Sequence, residues 1–267
     1  MEFAMGSHGK RGMVIVFLVC ALFTLPTGGQ KPTPSTAGDD ARVPGQDSSS
    51  GPAKELSPSL TFEFAGKTRT YYAFIPEHEG PLPVLVLLHG SGRSGQVMVD
   101  AWKGLASREH FMLVAPDAYD PSGWGVKMDP PEFLHAAVDQ VRAKHAVDAS
   151  RIYLFGHSAG AVYALIVAVI DSRFYAAAAV HAGALPPGYE SQIISRADRR
   201  TPIAIWVGDR DPLFHVDAVT ATQSLLEANS FPMKLSVIPD HDHNYYAISD
   251  EVNRQAWNFL KKAQMKP

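Results

Sequence analysis

Cysteine is nearly absent: the 267 residues contain one, Cys20, inside the apolar run from Met13 to Leu25. If that run is removed, the remaining chain has no disulfide, no thiol nucleophile and no cysteine-built zinc site. Charge excess is missing in both signs, with 24 Lys and Arg against 27 Asp and Glu. No nucleic-acid partner is therefore expected, and no acidic solvating tail. Long apolar runs are missing as well. The stretch from Met13 to Leu25 falls short of the about 20 residues that a membrane span requires, so no stable span is expected. No internal repeat suggests a solenoid.

The short run has another reading. Lys10-Arg11 precedes it and Pro26-Thr27-Gly28-Gly29-Gln30 follows it, which is the order of regions in an export signal. Residues 1–29 are read as a signal peptide cut near Gly29, placing the mature protein in the periplasm or outside the cell. Lipid attachment at Cys20 is disfavoured because Val19 stands where a small residue is needed. Residues 30–58, rich in Pro, Ser, Gly, Thr and Asp, bury too little apolar surface to offset chain entropy and are read as a linker. Residues 59–267 are then the folded domain.

Within that domain, short apolar runs alternate with segments of helical spacing. Thr61 to Phe64 and Thr70 to Ile75 flank a Gly66-Lys67 turn as an antiparallel hairpin would. Pro83 to Leu88, Phe111 to Pro116, Ile152 to Phe155, Ala176 to Val180, Ile203 to Val207 and Leu235 to Ile238 read as strands buried on both faces. Helices are expected from Val97 to His110, after Pro130-Pro131, after Gly160, from Val216 to Leu226 and from Val252 to Lys262. Such alternation gives an α/β fold, a mostly parallel sheet with helices on both faces, with loops for chemistry at the carboxyl ends of the strands.

The chemistry centres on Gly156-His157-Ser158-Ala159-Gly160, set between a buried strand and a helix of small residues. This is the Gly-x-Ser-x-Gly elbow, whose sharp turn exposes the serine. A serine hydroxyl needs a neutral imidazole to take its proton and a carboxylate to fix the imidazole's tautomer. Candidates follow two later strands: Asp209 and Asp211 in Gly208-Asp209-Arg210-Asp211, and His241 and His243 in Asp240-His241-Asp242-His243. Asp211 is preferred, since Asp209 adjoins the strand and is committed to the turn. His243 is preferred on similar grounds, with His241 kept as the alternative. Oxyanion donors are expected from the Ala159 N–H, at the helix start, and the Ser91 N–H in His89-Gly90-Ser91-Gly92. His157 and His181 are read as packing or hydrogen-bonding groups. His241-Asp242-His243 lacks a further ligand pair, so no metal is assigned, and no cofactor is implied. Trp124 is placed in the substrate pocket.

Taken together, Leu88-His89-Gly90, Ala115-Pro116-Asp117, Val147-Asp148-Ala149-Ser150-Arg151-Ile152-Tyr153, the elbow and Gly208-Asp209-Arg210-Asp211 resemble the polyhydroxybutyrate depolymerase and feruloyl/acetylxylan esterase branch of the α/β-hydrolases. The resemblance runs from about Tyr71 to the C-terminus. It implies a triad of Ser158, Asp211 and His243. Two departures stand out: Asp240 where the branch often has Gly three residues before its histidine, and Ala161 where a third glycine is common. The segment from Gly183 to Thr201, where relatives insert a lid, is short, implying an open site for exposed or bulky esters. The reading is an exported serine carboxylesterase acting on a small or polymer-linked ester, with acyl and alcohol specificity and oligomeric state left open. Its rivals are a serine peptidase or amidase on the same fold, and a non-catalytic carbohydrate or surface-binding protein on a hydrolase scaffold.

Overall fold

A computed structural model describes residues 58–266. The expected signal segment, Cys20 and all but the last residue of the expected linker lie outside the described residues.

Eight strands form one sheet: β1 (Leu60–Phe64), β2 (Lys67–Phe74), β3 (Leu82–Leu88), β4 (Met112–Pro116), β5 (Val147–His157), β6 (Ala177–His181), β7 (Ile203–Gly208) and β8 (Met233–Ile238). Their spatial order is β1-β2-β4-β3-β5-β6-β7-β8. β1 pairs with β2, and β2 with β4, antiparallel; every other pairing is parallel. Between the strands run α1 (Gly95–Glu109), α2 (Pro131–Arg142), α3 (Ala159–Ile170), α4 (Glu190–Ile194) and α5 (Val216–Ala228), and α6 (Ser249–Leu260) follows β8.

Strand periodicity of two divides the core between the faces. In β3, Val84, Val86 and Leu88 join a cluster with Phe133 and Val138 of α2 and Leu165 of α3, while Leu85 and Leu87 join Trp102 of α1 and Trp257 of α6. Both faces are covered, so β3 is buried along its whole length. This matches the continuous apolar reading of Pro83 to Leu88.

Two details differ from the sequence reading. Asp148 to Arg151, expected to lead into the central strand, lies within β5, where the pairing with β3 shifts register between Leu82 and Val84. Asp148 holds that irregularity by accepting from the Ser150 N–H, the Ser150 hydroxyl and Arg151 Nε. A short α4 and a 3-10 turn at Tyr245–Ala247 also appear. Each is only about one helical turn, too short for apolar periodicity to register.

Candidate active site

The elbow is formed by close packing that excludes side chains. A Cβ on Gly156 would lie 2.2 Å from the Gly160 carbonyl oxygen, and one on Gly160 would lie 2.2 Å from that of Leu88. The strand end and helix start can meet only because both positions are glycine. Ser158 between them has φ 57 and ψ −121, in the positive-φ region that costs a residue with a Cβ. The Ser158 N–H donates to the His181 carbonyl at 3.1 Å, and the Ser158 carbonyl accepts from Ala161 and Val162. Ala161, the third-glycine departure, is matched by Gly183, whose added Cβ would lie 2.6 Å from the Ala161 methyl.

The acid and base arrive on neighbouring loops. Asp211 follows β7, is 3% exposed, and accepts from the Leu213 and Phe214 N–H groups at 2.8 and 2.9 Å through Oδ1. Its Oδ2 lies 2.8 Å from His243 Nδ1, and His243 Nε2 lies 2.9 Å from Ser158 Oγ. Burial raises the carboxyl pKa of Asp211, but hydrogen bonds from His243, Phe214 and Leu213 outweigh it, leaving the pKa lowered and the group ionised. An ionised carboxylate only accepts, so His243 carries its proton on Nδ1 and presents the Nε2 lone pair to Ser158.

The structure thus brings Ser158, Asp211 and His243 together, while Asp209 and His241 point elsewhere. The Asp209 N–H extends the β7–β8 pairing onto the Ile238 carbonyl and its side chain is exposed, while His241 Nε2 meets His181 Nε2 at 3.2 Å. The loop carrying both histidines is seated against β7, because a Cβ on Gly208 would lie 2.0 Å from the His241 carbonyl oxygen. Asp240 enters this loop at φ 56, which explains how it occupies a position that favours glycine: Asp tolerates the left-handed region better than most residues, and its carboxylate pairs with Arg210.

The loop carrying Ser91 is held by the loop after β4. Ala118 donates to His89 Nε2 at 3.0 Å, Gly92 donates to the Pro121 carbonyl at 2.8 Å, and Trp124 Nε1 donates to the His89 carbonyl at 2.9 Å. The second loop is tied down by Asp129, which receives Arg69 Nη2 at 2.6 Å and the Tyr119 N–H at 2.9 Å. Arg69 also donates to the carbonyls of Asp117 and Met128, and the Tyr163 hydroxyl donates to the Asp129 carbonyl. Neither the Ser91 nor the Ala159 N–H has an acceptor among the described residues.

A groove of about 480 Å³ opens over Ser158, lined by Gly90, Ser91, Arg93, His157, His243 and Tyr246, with Leu213 and Asn244 at its rim. Trp124, expected in the substrate pocket, does not line it. Its indole is 4% exposed, stacks on Tyr163 at 5.5 Å and bonds to His89, so it braces the Ser91 loop from behind. Arg93 and Tyr246 were missed by sequence reasoning. They come from the Ser91 loop and the 3-10 turn, and only tertiary structure places the guanidinium 5.4 Å from the Tyr246 ring centroid. Arg93 forms no ion pair among the described residues, where no cluster of three or more His, Cys, Asp or Glu side chains is placed to hold a metal.

This arrangement can be set beside known proteins. The profile of the dienelactone hydrolase family matches residues 114–264, more than half of the chain. The chain belongs to the dienelactone hydrolase family. Feruloyl esterase B of Neurospora crassa is 28% identical over 126 residues, covering 42% of this chain and 43% of that protein. The chain therefore spans less than half the length of that relative. Among solved structures, the fluorophosphonate-binding serine hydrolase F of Staphylococcus aureus superposes with a TM-score of 0.63 at 15% identity, over 76% of this chain and 97% of that one. A ferulic acid esterase from Anaeromyces mucronatus, in complex with ferulic acid, gives a TM-score of 0.58 at 17% identity, over 80% and 93%. At such identities the likeness shows the α/β-hydrolase fold shared across this family.

Proposed function

We propose that this family member is a serine ester hydrolase acting through an acyl-enzyme. The observation that carries the reading is His243 bridging Asp211 at 2.8 Å and Ser158 at 2.9 Å. As Ser158 Oγ bonds to the ester carbonyl carbon, its proton passes to His243 Nε2. The carbonyl oxygen becomes an oxyanion, received by the Ser91 and Ala159 N–H groups, where one donor is worth about 3 kcal/mol. Collapse breaks the bond to the alcohol oxygen, which leaves with the proton from His243. Water then repeats the sequence on the acyl-enzyme and releases the acid.

The open groove and the short segment from Gly183 to Thr201, which carries only the five-residue α4, favour bulky or polymer-linked esters, of which the feruloyl type is one. Arg93, a cation at the groove wall without an ion-pair partner among the described residues, favours esters that also carry an anionic group. Export through residues 1–29 completes the reading and is checked by finding the shortened protein outside the cytoplasm.

Labelling with a fluorophosphonate tests the nucleophile. Wild type reacts and Ser158→Ala does not, with ester turnover reduced by about 10⁴-fold or more. Equal labelling of the two proteins would refute the assignment. Matched ester and amide substrates separate the esterase from an amidase.

A further inference from the structure

The proposed reaction uses one histidine, yet three others are buried beside it. His157, His181 and His241 are 5%, 0% and 7% exposed. They stand at the ends of β5 and β6 and in the loop after β8. His157 Nδ1 lies 3.2 Å from His181 Nδ1, and His181 Nε2 lies 3.2 Å from His241 Nε2. A neutral imidazole has one N–H and one lone pair, so His181, using both nitrogens on other imidazoles, must donate through one and accept through the other.

A backbone carbonyl sets the direction. His157 Nδ1 also lies 3.4 Å from the His181 carbonyl oxygen, which can only accept. A lone pair on His157 Nδ1 would face that oxygen's lone pairs, so the proton belongs on His157 Nδ1. His181 Nδ1 then accepts, His181 Nε2–H donates to His241 Nε2, and His241 keeps its proton on Nδ1. Burial, the leading cause, together with neighbouring imidazoles, pushes His157 down to about 3 and His181 down to about 2, which agrees with both of these rings being uncharged.

This chain touches every loop of the triad. The His181 carbonyl receives the Ser158 N–H at 3.1 Å. His241 stands two residues before His243, and its carbonyl receives the Arg210 N–H at 3.0 Å, next to Asp211. We propose that His157, His181 and His241 form a directional chain of neutral imidazoles that positions the His243 loop against the nucleophile elbow, with His181 as its central positioning residue. This rests on the acyl-transfer reading of Ser158 and His243.

The first test needs no turnover. In the full chain labelled with ¹⁵N-histidine, NMR near neutral pH is expected to show His157 and His241 protonated on Nδ1 and His181 on Nε2. The opposite tautomer at His181, or a cationic His157 or His181, overturns the proposal. The second test is kinetic. His181→Phe is expected to lower kcat, and the rate of fluorophosphonate labelling, about ten-fold while KM stays within two-fold. His181→Gln, which keeps one donor and one acceptor at similar reach, restores most of the loss. Should the Phe protein not fold, His241→Phe breaks the same chain at its rim and is read the same way. Unchanged rates in a folded Phe variant, an equal rise in KM, or no rescue by Gln overturns the positioning role. Failure of wild type to label would instead sink the acyl-transfer reading, while the tautomer map still judges the chain.

Discussion

The two flanks of Ser158 are built on opposite principles. On one side Trp124, Tyr163 and His89 stack and bond with almost no exposure, and the small cleft among Trp124, Ala159, Val162 and Tyr163 has no room for a water-sized group. On the other, Arg93, Leu213, Asn244 and Tyr246 border open space. The closed flank fixes where the Ser91 and Ala159 N–H groups sit, and the open flank is left to meet substrate. Rigidity and recognition are thus assigned to different sides of Ser158, one packed behind the Ser91 loop and one lining the groove, so substitutions on the two sides should differ in kind as well as in size.

Near neutral pH, the largest effect of a single substitution on stability is expected on the closed flank. Trp124→Ala removes a buried indole and its bond to the His89 carbonyl. It should cost about 3 kcal/mol or more, lowering Tm by roughly 10 °C, with kcat falling as the Ser91 loop loosens. Calorimetry and steady-state kinetics on the same sample would check this, and an unchanged Tm would remove the distinction between the flanks.

A second effect lies beneath both flanks. His157 and His181, held near 3 and near 2 chiefly by burial, regain in the unfolded chain the ordinary imidazole value of about 6.5. The unfolded state then binds more protons, so their contribution is complete above about pH 6.5 and is lost as pH falls toward the folded values. The expected slope is about 1.4 kcal/mol per pH unit for each imidazole. Urea unfolding at a series of pH values should show stability dropping below pH 6.5, with a shallower slope in His181→Phe. A flat profile would mean these rings are not neutral in the fold.

The smallest effect belongs to the open flank. Arg93→Gln should lower the ratio of kcat/KM for a hemisuccinate ester to that for the matching acetate by about ten-fold, or about 1.4 kcal/mol. The difference should shrink in high salt. An unaltered ratio would show that the wall is open but unselective.

What could be read in advance follows the same division. Ser158 and Asp211 stand at strand ends flagged by glycine, buried runs and chain order, whereas the preference for His243 leans also on a family resemblance and leaves His241 open, because Asp240 replaces the glycine that would have marked the position. Asp211 could be preferred to Asp209 on loop reach alone, and the structure places its carboxylate against His243. Trp124 illustrates the limit. Residue type and loop position put it in the pocket, but burial is a tertiary property, and the Tyr163 ring that covers it comes from α3. Arg93 beside Tyr246, and the imidazole chain, join residues separated by 24 to 153 positions, with no spacing that could have announced them. The strand order was equally hidden, since local periodicity does not tell β4 to lie between β2 and β3.

The Arg69–Asp129 pair, 5% and 1% exposed, divides the loop after β4 into two territories of evolutionary freedom. In its tip, Asp120 to Ser122, the side chains are tied among themselves through the Asp120 carboxylate, and the Pro121 carbonyl reaches out to the Gly92 N–H, so side chains there can change while the backbone at Pro121 stays in place. Its heel at Asp129 is answerable to the buried guanidinium and the Tyr119 and Gly125 amides at once. Change can accumulate at the tip by single steps, whereas the heel moves only if its partners move with it.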